Sequence, residues 1–115
     1  MTPEEAEHLH DLFAGFGEVS LRPMFGAHGV YRDGTIFALA IDGGLYLKVD
    51  AHSRARFEAA GCAPFVYRMK GRPLPLSYWS APAEAVESAE AMRPWAELAW
   101  AAAARKRAGG GRRRR

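Results

Sequence analysis

One cysteine, Cys62, is all the thiol chemistry in the 115 residues. No disulfide can close within the chain, and neither a Cys-x-x-Cys pair nor a thiolate metal cluster can form. Cys62 lies in Gly61-Cys62-Ala63-Pro64, which reads as a helix-to-strand junction with no adjacent base. A free cysteine there behaves as a small buried hydrophobe rather than as a nucleophile. Long apolar runs are also missing: nothing approaches the roughly 18 to 20 apolar residues of a membrane span. The start, Met1-Thr2-Pro3-Glu4-Glu5, is acidic where a signal peptide would be basic and then apolar. These absences predict a cytoplasmic protein in a reducing compartment, with no membrane partner.

Catalytic patterns are equally sparse. His8 and His10 are two apart on a helix and diverge, while His28 and His52 fall at a strand start and a loop, so no metal site is expected. Gly26-Ala27-His28-Gly29 sits between strands instead of opening a helix, which excludes a phosphate-cradling fingerprint. Ser53, Ser77 and Ser80 lack a nucleophile-elbow context, and Glu18, Asp33 and Asp42 sit at turns. No catalytic residue and no cofactor are assigned.

What is present is one domain's worth of apolar pattern, 49% hydrophobic overall. Thr2 is a helix cap, Pro3 suits the first helical position, and Glu5 completes a capping box. Leu9, Leu12, Phe13 and Phe16 then form one helical stripe. From Val19 to Val49 the period changes to that of strands, at about 19–25, 28–32, 35–41 and 45–49, punctuated by Asp33-Gly34 and Asp42-Gly43-Gly44. The strand Ile36 to Ile41 is apolar on both faces and calls for cover on each. Asp50 or Ser53 caps a short helix anchored by Phe57 and ended by Gly61.

Strands at about 65–69 and 74–80 follow, with Phe65, Tyr67, Met69, Leu74, Leu76 and Tyr78 facing one side and Val66, Arg68, Ser77 and Trp79 the other. Ser88 caps a last helix whose stripe is Met92, Trp95, Ala99 and Ala102/Ala103. Pro94 predicts a kink or a start nearer Ala91, and Gly109-Gly110-Gly111 predicts its end. The fold class is therefore α+β, order αββββαββα. It is a two-layer domain with an antiparallel sheet of five or six strands and the N- and C-terminal helices on one face. Leu12, Phe13, Phe16, Leu39, Leu47, Phe57, Phe65, Tyr67, Leu76, Trp95 and Ala99 make its core.

Charge is divided unevenly. Residues 105–115 hold seven of the sixteen basic side chains, and the other 104 residues carry nine basic against thirteen acidic, so a body near −4 bears an end of +7. The domain spans 1–107 and a Gly/Arg-rich tail, expected to be disordered, spans 108–115. Arg112, Arg113, Arg114 and Arg115 are candidate contacts for nucleic acid, bound non-specifically through phosphate; a solvated end is the alternative.

On the body, Tyr46, Lys48, Val66, Arg68 and Trp79 are a candidate interaction face, since mixed aromatic and cationic groups suit a protein partner. A homodimer would hide an uncovered apolar face with Tyr46, Val66 and Trp79 as contacts. Alternatively, those aromatic and long basic side chains shield the face within one chain.

The ordered motifs resemble a known family. Met24-Phe25-Gly26, Gly29-Val30-Tyr31, Leu45-Tyr46-Leu47-Lys48-Val49-Asp50, Phe57, Gly61, Pro64-Phe65-x-Tyr67, Leu76-Ser77-Tyr78-Trp79 and Trp95-Ala96 follow the order of the TfoX/Sxy N-terminal domain family, from about Leu12 to Ala99. The resemblance implies a compact α+β domain linked to regulators of competence, or DNA transformation, that influence transcription and are not enzymes. It supplies no catalytic residue. The chain reads as a stand-alone N-terminal domain with an arginine tail where family regulators carry a second domain. Two functions follow as expectations: a regulatory protein-interaction module with an unidentified protein partner, or a nucleic-acid accessory protein that uses its tail.

Overall fold

The computed structural model describes residues 1–24, 26–69 and 72–112, with the backbone alone described for 67–69, 72–76 and 109–112. Phe25, Lys70, Gly71 and Arg113–Arg115 lie outside it.

Helix α1 spans Pro3–Leu12 and opens on a reciprocal capping box, in which Glu5 N–H donates to Thr2 Oγ1 at 3.1 Å and Thr2 N–H to Glu5 Oε1 at 3.0 Å. Its stripe buries Leu9 and Leu12 and runs on into buried Phe13 and Phe16. Strands β1 (Ser20–Met24), β2 (Ala27–Arg32), β3 (Thr35–Ile41) and β4 (Gly44–Lys48) form an antiparallel meander. Two Asp-Gly hairpin turns link the last three, with φ of 51° and 78° at Asp33 and Gly34 and of 48° and 80° at Asp42 and Gly43. Paired positive φ matches the right-handed twist of the strands, which is why Asp-Gly is favoured there.

Helix α2 (Arg54–Ala59) buries Phe57 and ends at Gly61, whose φ of 82° lets Cys62 N–H return to the Phe57 carbonyl. Strands β5 (Pro64–Met69) and β6 (Arg72–Ser80) complete a six-stranded sheet of order β1-β2-β3-β4-β6-β5, so β6 inserts between β4 and β5. Helix α3 (Ala89–Arg112) packs on β3 and β4 and on the short 3-10 turn Ala85–Glu87 that precedes it. The result is the expected α+β domain in the expected order αββββαββα.

The core lies between the helices and one face of the sheet, and a β-bulge shapes it. Val30 pairs with Ala38 and Tyr31 with Ile36, leaving Phe37 as the extra residue. The bulge turns Phe37 and Ala38 to the same side, both fully buried in the helix-side cluster. The Phe37 ring lies 5.3 Å from Phe13 and 5.2 Å from Phe16. Met92, Ala96, Ala99 and Ala103 line the facing stripe of α3, the three alanines being small enough to let its backbone approach the sheet. Trp95 packs edge-on against Phe57 at 5.0 Å, and Trp100 Nε1 donates to the Arg32 carbonyl.

Four expectations change. Leu39 is buried, but on the far face, opposite Tyr46, and Phe65 joins Tyr46 there with ring centroids 4.9 Å apart. Strand β6 has the opposite phase: Trp79 lies across from Leu47 and packs against the helix-side core, while Tyr78 lies across from Lys48. Helix α3 starts at Ala89, with Ser88 Oγ accepting from Ala91 N–H, despite Pro94. The proline removes the bond to the Glu90 carbonyl only one turn in, and both residues are exposed, so water can replace that bond. The glycines 109–111 do not end α3, which continues to Arg112. The expected core side chains Tyr67 and Leu76 lie outside the described side chains.

Candidate functional site

Strand alternation on β4 sends Leu45 and Leu47 toward the core and Tyr46 and Lys48 to the far face. Of the expected interaction face, the structure therefore brings Tyr46 and Lys48 together. Trp79 leaves it, because pairing with Leu47 places that indole under the helices. Val66, on the edge strand β5, is 47% exposed. The backbone of Arg68 pairs with Pro73 in β5–β6, its side chain being outside the description. Arg112 closes α3, and Arg113, Arg114 and Arg115 lie outside the described residues.

Among the described residues no helix lies on the far face, yet its own long side chains cover it. Met24, Tyr31 and Ile36 converge over Gly29 so closely that a Cβ there would lie 2.7 Å from Ile36 Cδ1. Arg22 lies over the Tyr31 ring at 4.9 Å, and Lys48 Nζ lies 5.0 Å from the Tyr78 ring centroid. Lys48 is only 7% exposed and donates to Ser77 Oγ at 2.5 Å. Burial, then the charge of Lys106, lowers the Lys48 pKa, and Asp50 partly offsets them. Burial pushes the Tyr78 phenol up to about 12.

Next to Lys48 the chain turns at Asp50, whose Oδ1 accepts from His52 N–H and Ser53 N–H ahead of α2. Arg105 grips the same carboxylate in bidentate fashion, Nε to Oδ2 at 2.7 Å and Nη2 to Oδ1 at 3.0 Å. Those hydrogen bonds hold Asp50 below the usual carboxylate range and Arg105 above its own. Arg107 Nη1 donates to Thr35 Oγ1, so this basic turn of α3 is pinned over one end of the central strands, where β3 begins and β4 finishes. Sequence reasoning missed this corner. It counted Arg105, Lys106 and Arg107 as a charge run, because the acceptors Asp50 and Thr35 are far from them in sequence.

Elsewhere the chemistry is thin. Among the described residues no group of three His, Cys, Asp or Glu side chains comes together as metal ligands. Cys62 is half-buried, and burial raises its thiol pKa, against a smaller pull from Ser80. An open cleft of about 350 Å³ between α2 and α3 is lined by His52, Arg56, Glu97, Leu98 and Arg105 among others. Ser53 also borders it, with its Oγ engaged by Asp50. No helix among the described residues is long and apolar enough to cross a membrane.

The chain is 33% identical over 79 residues to the DNA transformation protein TfoX1 of Aliivibrio fischeri (strain ATCC 700601 / ES114). That alignment takes in 65% of this chain and 38% of the relative, so the chain spans well under half of the protein it matches. The family model for the TfoX N-terminal domain matches residues 11–103, from the end of α1 to the last buried turn of α3, and the chain belongs to that family.

Proposed function

We propose that this chain is a non-enzymatic regulatory module of the cytoplasm that acts through a protein partner in a process related to DNA transformation, with an influence on transcription. Its membership of the TfoX N-terminal domain family carries the reading, supported by its similarity to the DNA transformation protein TfoX1 of A. fischeri. On the body, Tyr46 and exposed Val66 are the side chains offered to a partner, with Arg68 on the same edge strand. A second copy of the chain is one such partner.

Affinity capture from the native host with the intact chain tests this. A discrete protein that is lost with Tyr46→Glu or Val66→Glu supports the module; recovery indifferent to both variants removes this face from it. Light scattering at micromolar concentration separates the homodimer, since a monomeric mass excludes self-association.

The second reading is an accessory protein that contacts nucleic acid through its arginine-rich end, favoured by the seven cations packed into residues 105–115. Captured material that disappears on nuclease treatment supports it.

A further inference from the structure

The cleft between α2 and α3 has two unlike walls. On α3, Pro94, Leu98, Ala101 and Arg105 recur at i, i+4, i+7 and i+11, which is one face of a helix. That wall passes from apolar to cationic over about 16 Å, at 1.5 Å per residue. Arg56 and His52 line the α2 side.

Charge in the cleft runs against that of the body, where residues 1–104 carry thirteen acidic and nine basic side chains. Arg54 on α2 is paired with Glu58. Arg56, two positions on, is exposed and has no carboxylate within ion-pair distance among the described residues. Arg105 has two of its N–H donors fixed on Asp50, which orients a guanidinium that is 42% exposed and still has donors to give. Holding it in advance lowers the cost of ordering it on binding. Glu97, the acid in the lining, is already held by Arg93 at 3.3 Å.

These features select the occupant. An open cleft does not enclose a small molecule, so it suits a segment laid along it. Leu98 and Ala101 in the same lining call for an apolar side chain, and the Glu97 carboxylate disfavours a continuous polyanion such as a nucleic-acid backbone. A peptide with carboxylates around an aliphatic residue meets all three conditions.

We propose that this cleft is the docking site for an acidic amphipathic peptide segment of the protein partner, with its carboxylates on Arg56 and Arg105 and its aliphatic side chain on Leu98 and Ala101. It rests on the protein-partner reading above, names that partner's chemistry, and adds a surface built by helices to the one on the sheet.

The test is selection of random displayed peptides of about 12 residues, enough to span the cleft as a helix, on the intact chain. Peptides are kept if the full-length variant with Arg112–Arg115 replaced by serine binds them equally, which removes attraction to the arginine-rich end. They are expected to carry Asp or Glu around Leu, Ile or Val. In fluorescence anisotropy with one such labelled peptide, Arg56→Glu should weaken binding about tenfold, since it removes an exposed ion pair and adds a like charge. Arg54→Glu makes the same charge change on the same helix outside the cleft lining, and should leave affinity within about twofold. A peptide with Lys in place of the contacting acid should regain affinity for Arg56→Glu. Failure to enrich acidic peptides, equal losses in the two variants, or equal displacement by a DNA oligonucleotide of matching charge overturns the site. A captured protein that is lost with Tyr46→Glu yet indifferent to Arg56→Glu overturns the cleft while the protein-partner reading stands, and a chain that captures no protein overturns both.

Discussion

The two faces of this sheet solve the same problem with different materials. One is roofed by helices whose contact residues are phenylalanines from the α1 end and alanines from α3, closing over Phe37, Ala38 and Leu47. The other has no helix over it among the described residues, and Leu39 and Lys48 are nevertheless below a tenth exposed under tyrosines and long side chains of the sheet itself. The first face is a packed interior, intolerant of volume change, whereas the second is a layer of amphipathic side chains with one side still in water. Stability should therefore reside in the first face and binding in the second.

The sharpest test of that division pairs two truncations on one strand. Phe37→Ala should cost about 3 to 5 kcal/mol in urea or thermal unfolding, because it empties the contact of three rings. Leu39→Ala should sit at the low end of the range for buried leucine, about 2 kcal/mol, since a thin side-chain layer can settle into the gap. Equal losses would mean that the faces are mechanically alike.

Overpacking probes the roof alone. Ala99→Leu, where α3 lies against the sheet, should cost about 1 to 3 kcal/mol, and Tyr46→Leu on the far face under about 1 kcal/mol, read from the same unfolding curves.

A smaller effect concerns the latch between the faces. Asp50 has its folded pKa below the usual 3.8, so its stabilisation is present above that value and is lost as pH falls through the folded pKa. Asp50→Asn should remove about 1 kcal/mol at neutral pH, as expected for a partly exposed pair, and should flatten the acid limb of the unfolding midpoint.

The alkaline limb carries the smallest signal. Tyr78, raised to about 12 from 10.0, contributes stability that is intact below 10.0 and lost as pH rises toward 12. Lys48 opposes it, because a lowered pKa makes folding gain as pH rises from the folded value to 10.5. Lys48→Met should therefore steepen the alkaline loss while leaving neutral-pH stability unchanged or slightly raised, measured as urea midpoints from pH 9 to 12.

Much of this architecture is legible from residues that act locally. The capping box at Thr2, the Asp-Gly hairpins, Ser88 and Gly61 each set a backbone conformation within a few positions, and the element order followed from them. What local reading could not reach depends on register. The Phe37 bulge exists only in relation to Val30 and Tyr31 across the strand, so Ile36 to Ile41 is apolar on both faces as expected, but which side chain takes which face could not be read from alternation. The phase of β6 is likewise set by pairing Leu47 with Trp79, since both alternations of that strand contain aromatics. Of the candidate site, Tyr46 and Lys48 followed from alternation on β4, whereas Asp50 with Arg105, and Lys48 with Ser77, join positions 55 and 29 apart.

The sheet order has a consequence for how copies of this protein can meet. Its two outermost strands are β1 and β5, and each contains a proline and an arginine, Pro23 with Arg22 and Pro64 with Arg68. Proline removes a main-chain donor, and a charge along the rim disfavours stacking against an identical rim. Growth of the sheet from molecule to molecule, the route to fibrils and amorphous aggregates, is thereby hindered at both margins, so a high expression level should leave this fold dispersed.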